Sequence, residues 1–424
     1  MAKKSPETVS LASGFFECGE QIVNDKCIYA IATMDTKAEE LGFIAEQLRN
    51  TGLEVKTVDV GTGSDSQIPA DVTKETVADC HSKGAQYVLG QNDRGVAVTE
   101  MSYALESFLQ KEYLEDRIAG VIGAGGSGGT SLISRAMRAL PIGLPKLLVS
   151  TVASGNTQPY IDCSDITLMY SVVDVAGLND VSRTILANAA NAIGGMVRHY
   201  VSPDMENKAI GLTMFGVTTP CVDAVRQKLE SDDNDCLVFH ATGTGGRAME
   251  SLVNSDYIDR VLDITTTEVA DEVVGGVFPC GEKRFDSIIA KDIPCVMSLG
   301  ALDMVNFGGI ETVPEKFKER NLYPEVTLMR TSVEENVAVA KWMADKINQT
   351  TAPFVLVVPE GGVSMLDSPD QPFHDPEADN ALFTTLEKLI EQNAKRKILR
   401  VARNINDPEF ADVLLEQLAE VVTH

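Results

Sequence analysis

The sequence predicts an α/β protein in which helices cover both faces of mostly parallel sheets. Three observations support this fold class. Short apolar runs alternate with helical patterns along the chain, a rhythm typical of β-α-β units. The 33 glycines fit many tight turns between strands and helices. A chain of 424 residues also exceeds the usual size of one hydrophobic core, so we expect two domains.

The first predicted domain covers residues 1–203 and holds five apolar runs that predict strands. These runs are residues 27–33, 53–60, 85–90, 119–124 and 146–151. After the first run, apolar side chains recur at helical spacing, on Leu41, Ile44, Ala45 and Leu48. One face of this helix should therefore be buried, and Gly52 should follow its end. A helix over 181–198 closes the half, and 201–208 is a polar linker.

The second predicted domain, residues 204–424, restarts the same pattern. Its apolar runs are residues 209–215, 236–241, 261–265, 295–299, 326–330, 354–358 and 397–402. Two short matches link the halves. Thr33-Met34 recurs as Thr213-Met214, and G-G-S-G-G-T at 125–130 recurs as T-G-T-G-G-R at 242–247. The matches indicate a common plan without proving a duplication.

Composition excludes several classes of protein. The net charge of −26, with 36 basic against 62 acidic residues, argues against a broad nucleic-acid surface. The sequence has no apolar run long enough to span a membrane and no apolar signal-peptide core, so we expect no membrane partner and a cytoplasmic protein. Its eight cysteines form no C-x-x-C pair, which predicts reduced thiols without structural zinc.

A glycine-rich stretch, G-A-G-G-S-G-G-T at 123–130, separates a predicted strand from a predicted helix. Its spacing fits a dinucleotide loop, and also a phosphate loop in which Gly129 replaces the lysine. Backbone amides there could bind phosphate, helped by the Thr130 hydroxyl; the residues are Gly125, Gly126, Ser127, Gly128, Gly129 and Thr130. The next strand ends in Ser150 and Thr151 without a ribose-binding acid, which favours a mononucleotide. A tight turn that needs glycine only for packing is the alternative.

The segment T-M-D-T-K follows the first strand and would lie at the same sheet edge. Lys37 could supply the missing cation for a terminal phosphate, and Asp35 could hold Mg²⁺. Thr33 and Thr36 could donate to phosphate oxygens. The alternative interpretation makes Asp35 or Thr36 a helix cap and Lys37 a solvated residue.

The second half offers a different set of polar residues. His240 ends a predicted strand, and Glu268 follows the next one, so the two are candidate catalytic acid/base partners. A structural histidine is the alternative. The glycine turn after His240 also fits a dinucleotide fingerprint, because Asp263 lies twenty residues beyond Gly243. A nicotinamide-dependent enzyme is therefore an alternative.

Other polar residues close to strand ends are Asp303, Arg330 and Glu360. Asp367 and Asp375 are predicted to be loop and helix-cap acids. The sequence contains neither G-x-S-x-G nor H-E-x-x-H, so it does not indicate a serine hydrolase or a zinc protease.

Eight motifs together resemble a known family. They are A-T-M-D-T-K-A-E-E-L, I-G-A-G-G-S-G-G-T, S-T-V-A-S-G-N, T-M-F-G-V-T-T-P, F-H-A-T-G-T-G-G-R-A-M-E, T-T-T-E-V-A-D-E, G-A-L-D-M-V-N-F-G and D-P-E-A-D-N-A-L-F. Over residues 27–412 the chain resembles the ATP-binding proteins similar to the plant tomato mosaic virus resistance protein. Two departures stand out: N-I-N-D at 404–407 and the surroundings of Tyr323 each lack a histidine that the family pattern would place there.

The resemblance implies two tandem Rossmann-like three-layer domains, a nucleotide in the first and a homodimer. It implies a nucleotide site made of Thr33, Asp35, Thr36, Lys37, Gly125 to Thr130, Ser150 and Thr151. Plant relatives would carry a further C-terminal barrel-like domain that this chain lacks.

We therefore expect a cytosolic protein that binds ATP with Mg²⁺ and transfers or hydrolyses phosphate on a small molecule. The alternatives are a non-catalytic nucleotide-gated interaction protein and a nicotinamide-dependent enzyme. The small residues of helix 181–198 suit a dimer contact or close packing inside the first domain; they are Ala187, Ala189, Ala190, Ala192, Gly194 and Gly195.

Overall fold

The structure is a computed structural model that describes residues 26–202, 208–323 and 327–423. Its described residues form two compact units. The first unit contains residues 26–140, 144–160 and 166–201, and the second contains 141–143, 161–165 and the described residues from 202 onward. Most of the predicted linker, residues 203–207, lies outside the described residues.

The first unit is built on a five-stranded sheet whose strands are all parallel. In chain order the strands are β1 (Cys27–Ala32), β2 (Val55–Asp59), β3 (Ile118–Gly125), β4 (Lys146–Ser150) and β5 (Thr167–Tyr170). Their order across the sheet is β2-β1-β3-β4-β5. The direction of the chain across the sheet therefore reverses between β1 and β3, which makes their carboxyl ends a topological switch point.

Helices cover both faces of this sheet. They are α1 (Met34–Asn50), α2 (Lys74–Ala78), α3 (Ala85–Leu89), α4 (Arg94–Leu114), α5 (Ser127–Arg138), α6 (Gln158–Ile161) and α7 (Asp180–Arg198). Alternate residues of β1 enter two separate cores, as a pleated strand requires. Ile28 and Ala30 pack with α1 and α7, whereas Tyr29 and Ile31 pack with α4 and α5. The helices that follow β1 and β3 thus lie on opposite faces of the sheet.

Several sequence predictions for this unit are confirmed. The stripe on α1 is buried, at Leu41, Ile44, Ala45 and Leu48. Gly52 follows the helix with a φ of +82°, a conformation that glycine adopts without strain. The predicted helix 181–198 is α7. Its Ala189, Ala190 and Gly194 are buried inside the unit, so half of the small residues there serve internal packing, and the homodimer stays a prediction.

One prediction for the first sheet is wrong, and one strand was missed. Residues 85–90, predicted as a strand, form the helix α3, in which Val88 is buried and Gln86 is exposed. A strand inside a parallel sheet would be buried on both faces, and a run this short does not by itself distinguish strand from helix. The strand β5 was not predicted, because T-L-M-Y lies at the sheet edge and is half exposed.

The second unit is built on a six-stranded parallel sheet. Its strands are β6 (Ala209–Met214), β7 (Cys236–His240), β8 (Ile258–Thr265), β9 (Cys295–Gly300), β13 (Phe354–Pro359) and β14 (Arg396–Val401). A separate antiparallel sheet contains β10 (Met304–Asn306), β11 (Leu322–Tyr323) and β12 (Leu328–Arg330). The run predicted over 326–330 therefore contributes to this small sheet, and residue 326 lies outside the described residues.

Seven further helices pack on the second sheet and its loops within the described residues. They are α8 (Thr219–Ser231), α9 (Thr244–Asn254), α10 (Thr267–Val274), α11 (Asp286–Ala290), α12 (Val333–Ile347), α13 (Pro376–Leu389) and α14 (Pro408–Val422). No helix in the described ranges has both the length and the apolar character needed to cross a membrane.

The two main sheets share one plan of connection. Across the second sheet the order is β14-β13-β9-β8-β6-β7. When the strands of each sheet are numbered along the chain, the second sheet has the order 2-1-3-4-5-6 and the first has the order 2-1-3-4-5. The second sheet therefore repeats the order of the first and adds a sixth strand at one edge. The glycine motifs do not occupy equivalent places, however. Residues 125–130 follow the third strand near the sheet centre, whereas 242–247 follow the second strand, which lies at the edge.

Candidate functional site

The first predicted nucleotide segments meet at the switch point of the first sheet. Thr33 to Lys37 follow β1, and Gly125 to Thr130 follow its direct neighbour β3. The two strands pair in parallel, with Ile31 opposite Gly123. Because α1 and α5 leave toward opposite faces, their first turns flank the place where ligands bind in open α/β sheets.

Between Gly125 and Thr130, one glycine is required for packing and two border open space. A Cβ on Gly125 would lie 3.0 Å from the backbone of Gly129 and Thr130, so the turn needs glycine there. A Cβ on Gly128 or Gly129 would meet nothing within 4 Å. Among the described residues, no acceptor forms a hydrogen bond with the first-turn amides of α5, which belong to Ser127, Gly128 and Gly129. These N–H groups are therefore available to an anion.

Thr130 and Ser150, predicted as ligand contacts, are both fully buried. Their hydroxyl oxygens lie 2.6 Å apart, and the Ser150 Oγ also accepts a hydrogen bond from the Val152 amide at 3.1 Å. This pair joins the start of α5 to the end of β4 and has a structural role. Thr151 is half-buried, and its Oγ1 lies 3.8 Å from the Cβ position of Gly126, nearer to the open side.

The first turn of α1 is capped by a residue that the sequence did not single out. Thr33 precedes the helix, but its side chain makes no capping bond. Instead the Met34 amide donates to the Asp59 carboxylate at the end of β2, at 3.0 Å. Burial raises the pKa of Asp59. Asp35 and Thr36 are therefore not the caps of this helix.

Asp35 uses one carboxylate oxygen within the protein and leaves the other accessible. Its Oδ2 accepts a hydrogen bond from the Gly63 amide at 3.0 Å. Its Oδ1 has only a long contact, 3.5 Å, to the Thr36 hydroxyl. Asp35 is half-buried, so its Oδ1 can still accept from a ligand or bind a cation.

Lys37 interrupts the helical geometry of α1 with φ −131° and ψ 21°. Its side chain is half-buried, and no hydrogen bond or ion pair engages it within the described part of the chain. A lysine in the first turn opposes the helix dipole, so its position is unfavourable for the isolated helix. The switch point thus has an unpaired cation in the first turn of α1 and unbonded amides in the first turn of α5.

A second glycine segment at this edge was missed by the sequence analysis. We name Gly61 to Asp65 the β2 loop, because it begins two residues after the end of β2. The Gly61 amide donates to Asp59 Oδ1 at 2.8 Å, and the buried Lys74 reaches the carbonyl of Gly63 at 3.3 Å. A Cβ on Gly63 would lie 2.7 Å from Asp35 Oδ2. The G-x-G pattern directly after an apolar run was the signal that could have found it.

The predicted catalytic residues of the second unit are not joined in this structure. His240 ends β7, is exposed, and places its ring 5.2 Å from the ring of Phe215. Glu268 is fully buried and accepts hydrogen bonds from the Gly243 amide at 2.8 Å and from Arg284 Nε at 2.6 Å. Among described residues, no hydrogen bond links His240 to Glu268. Their catalytic roles stay predictions.

Arg284 gathers three carboxylates in the interior of the second unit. Its guanidinium bonds Glu268 and Asp263 at 2.6 Å each, and Glu250 at 3.2 Å. Arg284, Asp263 and Glu268 are wholly buried. Burial raises the pKa of both Asp263 and Glu250, while the Arg284 charge opposes that shift. We call these four residues the Arg284 cluster.

The second glycine turn is packed against this cluster. A Cβ on Gly245 would lie 1.9 Å from the His240 carbonyl, and a Cβ on Gly246 would lie 1.9 Å from Glu268 Oε1. Asp263, the acid of the formal dinucleotide fingerprint, accepts from Thr213 at 2.7 Å besides binding Arg284. Because Asp263 is inaccessible, the structure gives no support to a nicotinamide site at this turn.

Arg330 lies in a second buried cluster at the carboxyl ends of β9 and β13. Its Nη2 binds Asp379 at 2.6 Å and lies 3.8 Å from Asp367. Ser364 donates to Asp303 at 2.7 Å. Burial raises the pKa of Asp303 to about 6, of Asp367 to about 6 and of Asp379 to about 7. Asp303, Arg330, Asp367 and Asp379 are the Arg330 cluster.

The remaining polar candidates have ordinary structural partners. Asp375 caps α13 by accepting from the Ala378 amide at 3.1 Å, which confirms its predicted role. Glu360 is exposed and pairs with Arg400 at 3.1 Å. In the described ranges, no group of three His, Cys, Asp or Glu residues is arranged to hold a metal ion. The seven described cysteines are free; Cys18 lies outside these ranges.

Comparison with known proteins identifies the family. The N-terminal domain of UPF0261, an uncharacterised protein family, matches residues 26–202, and its C-terminal domain matches residues 207–422. The chain belongs to the UPF0261 family. A UPF0261 protein of Rhizobium meliloti (strain 1021) is 50% identical over 399 residues, covering 93% of this chain and 99% of the relative.

Plant proteins are also relatives of this UPF0261 chain. The tomato (Solanum lycopersicum) ToMV resistance protein Tm-1(GCR237) is 46% identical over 422 residues, covering 94% of this chain and 56% of its own length. Among solved structures, a UDP-GlcNAc 2-epimerase of Methanocaldococcus jannaschii aligns with a TM-score of 0.20 and 8% identity, covering 64% of this chain and 83% of that one. This likeness is too weak to carry an argument.

Proposed function

We propose that the first unit binds the phosphates of a nucleotide, with ATP and Mg²⁺ as its ligands, at the carboxyl ends of β1 and β3. One observation carries the proposal: the unbonded first-turn amides of α5 border open space, and Lys37, which has no partner among the described residues, lies in the first turn of α1 after the neighbouring strand β1. Amides at a helix N-terminus bind anions, and a lysine adds the charge that terminal phosphates need.

The residues at the end of β1 fit a magnesium ion bound together with phosphate. Mg²⁺ prefers oxygen ligands and keeps several waters, so one or two carboxylates suffice beside the phosphates. Asp35 offers its Oδ1, because Oδ2 is engaged by the Gly63 amide. The ion would neutralise phosphate charge when bound. Thr33 and Thr36 present hydroxyls on the same turn.

The proposal extends to phosphoryl transfer or hydrolysis with a small-molecule substrate. A nucleotide-gated interaction protein is the second candidate, favoured by the buried, structural position of Glu268. The tomato relative is named for virus resistance, a name that specifies no reaction. Phosphate release from ATP across a panel of metabolites separates the two candidates: turnover supports the enzyme, and binding without turnover supports the interaction protein.

Replacing Lys37 by methionine is expected to weaken ATP binding about tenfold or more, because a hydrogen bond to a charged group contributes about 1.5–3 kcal/mol. AMP should lose much less, since the lost contact involves the outer phosphates. Calorimetric titration of both nucleotides with Mg²⁺ measures the difference. Lys111→Met, at an exposed position of α4, is the matched control and should bind both nucleotides as the wild type does.

Gly128→Val gives the complementary result, because a branched side chain would fill the open space beside the loop amides. ATP and AMP should then be impaired together. Gly195→Val is its control, since a Cβ at Gly195 also meets nothing within 4 Å. Unchanged nucleotide affinity in both Lys37→Met and Gly128→Val would remove the site from the switch point.

A further inference from the structure

The β2 loop is tied by hydrogen bonds to residues beside the proposed phosphate site. Its Gly61 amide binds Asp59 at 2.8 Å, and its Gly63 amide binds Asp35 at 3.0 Å. From the other side, Lys74 reaches the carbonyl oxygens of Gly63 at 3.3 Å and Ser64 at 3.5 Å. Because Asp35 belongs to the first turn of α1, the loop is fixed to the helix that begins at the switch point.

One acid of the β2 loop, Asp65, is exposed to solvent. The Asp65 side chain is 91% exposed, and its Oδ1 pairs with Lys74 at 2.7 Å. Lys74 lowers the pKa of Asp65, so the carboxylate stays ionised near neutral pH. Asp59, the other acid at the end of β2, is buried and occupied by two backbone amides. Asp65 is therefore an exposed acceptor in the loop that follows β2.

On the other side of β3, the chain that follows β4 carries no acid from Thr151 to Tyr160. The strand β4 ends in Ser150, which is buried against Thr130, and Thr151 follows it. A carboxylate repels phosphate but accepts hydrogen bonds from two neighbouring hydroxyl groups. In dinucleotide-binding folds an acid beyond the second strand binds the ribose in this way.

We propose that Asp65 recognises the ribose hydroxyls of the bound nucleotide and makes the site selective for ribonucleotides. This inference rests on the proposed function, because it requires the phosphates to bind between β1 and β3. The ribose then lies toward β2. Lys74 positions the carboxylate through its ion pair and its two carbonyl contacts.

The test compares ATP with 2′,3′-dideoxy-ATP by calorimetric titration in wild type, Asp65→Asn and Asp79→Asn. Wild type is expected to bind ATP about tenfold or more tightly than the dideoxy nucleotide, as loss of charge-assisted hydrogen bonds implies. Asp65→Asn should weaken ATP by a similar factor and change the dideoxy nucleotide less than twofold. Asp79, exposed beyond α2, is the matched control and should leave the preference intact.

Each other outcome decides between the two proposals. Equal affinity of the wild type for both nucleotides overturns the ribose inference and leaves nucleotide binding standing. An equal effect of Asp65→Asn on both nucleotides also overturns it, because the carboxylate would then act on the loop or on phosphate charge. No binding of either nucleotide to the wild type overturns the proposed function, and the inference with it.

Discussion

Replacing Arg284 by leucine is expected to destabilise the second unit by about 3–5 kcal/mol, the usual cost of removing one partner from a buried ion pair. The guanidinium binds three carboxylates, and both it and two of its partners have no exposed side-chain surface. Without it, Asp263 and Glu268 would remain in the interior without a cation. Each would have to gain a proton or draw in water, and both responses cost free energy.

Lysine should rescue this position poorly. Arg284 uses Nε, Nη1 and Nη2 to reach three different carboxylates, whereas an ammonium group is a single point charge on a flexible chain. We therefore expect Arg284→Lys to recover only part of the lost stability.

The single tryptophan of the chain makes the measurement specific to this unit. Trp342 lies on α12, and its ring is 5.8 Å from that of Phe285, the residue after Arg284. Urea unfolding followed by Trp342 fluorescence reports on the second unit alone. Arg226→Leu is the control, because its exposed pairs on α8 should contribute less than about 1 kcal/mol. A loss below about 1 kcal/mol in Arg284→Leu would contradict the prediction.

The meeting of the two predicted phosphate segments could be anticipated from the sequence because it depends on little tertiary detail. Carboxyl ends of parallel strands share one edge, so any residue just after an apolar run becomes a candidate. T-M-D-T-K and the glycine loop needed only that rule. The sheet order, which makes β1 and β3 direct neighbours, added the switch point between them.

Partners that are distant in sequence could not be predicted. Thr130 and Ser150 were both predicted as ligand contacts, yet they bond each other across twenty positions of the chain. Asp263 fits the dinucleotide fingerprint by its spacing. It is not available to a ribose, because its carboxylate accepts a hydrogen bond from Arg284, twenty-one positions later in the chain. Spacing along the chain does not show which distant side chain will contact a given residue in the interior.

The helix cap of α1 illustrates the same limit. The sequence offered Asp35 or Thr36 as the cap, but the carboxylate that accepts from the Met34 amide belongs to Asp59 of β2. Because Asp59 accepts from the Met34 amide, Asp35 is not the cap. Asp35 instead accepts from the Gly63 amide of the β2 loop and keeps its second carboxylate oxygen accessible.

The stability of the second unit is expected to fall as pH rises from about 5 to 8, and Asp379→Asn should flatten that fall. Arg330 pairs with Asp379 and Asp367, and Asp303 is buried in the same cluster, so full ionisation of the three acids would leave a net negative charge in the interior. Burial raises the pKa of Asp379 to about 7, against an ordinary value of 3.8. The folded state therefore binds more protons than the unfolded chain between these values, and its advantage is lost as pH rises through the folded pKa.

Asparagine at 379 keeps the shape of the neutral acid and can still accept from Arg330, but it cannot ionise. Between pH 6 and 8 the wild type should lose about 1 kcal/mol through this group, from the linkage relation for a pKa near 7, and Asp379→Asn should lose correspondingly less. Urea unfolding followed by Trp342 fluorescence at each pH measures the slope. Asp345→Asn, an exposed acid on the same helix as the tryptophan, should keep the wild-type slope. If Asp379→Asn also keeps the wild-type slope, Asp379 is ionised throughout this pH range, and another acid of the Arg330 cluster holds the proton.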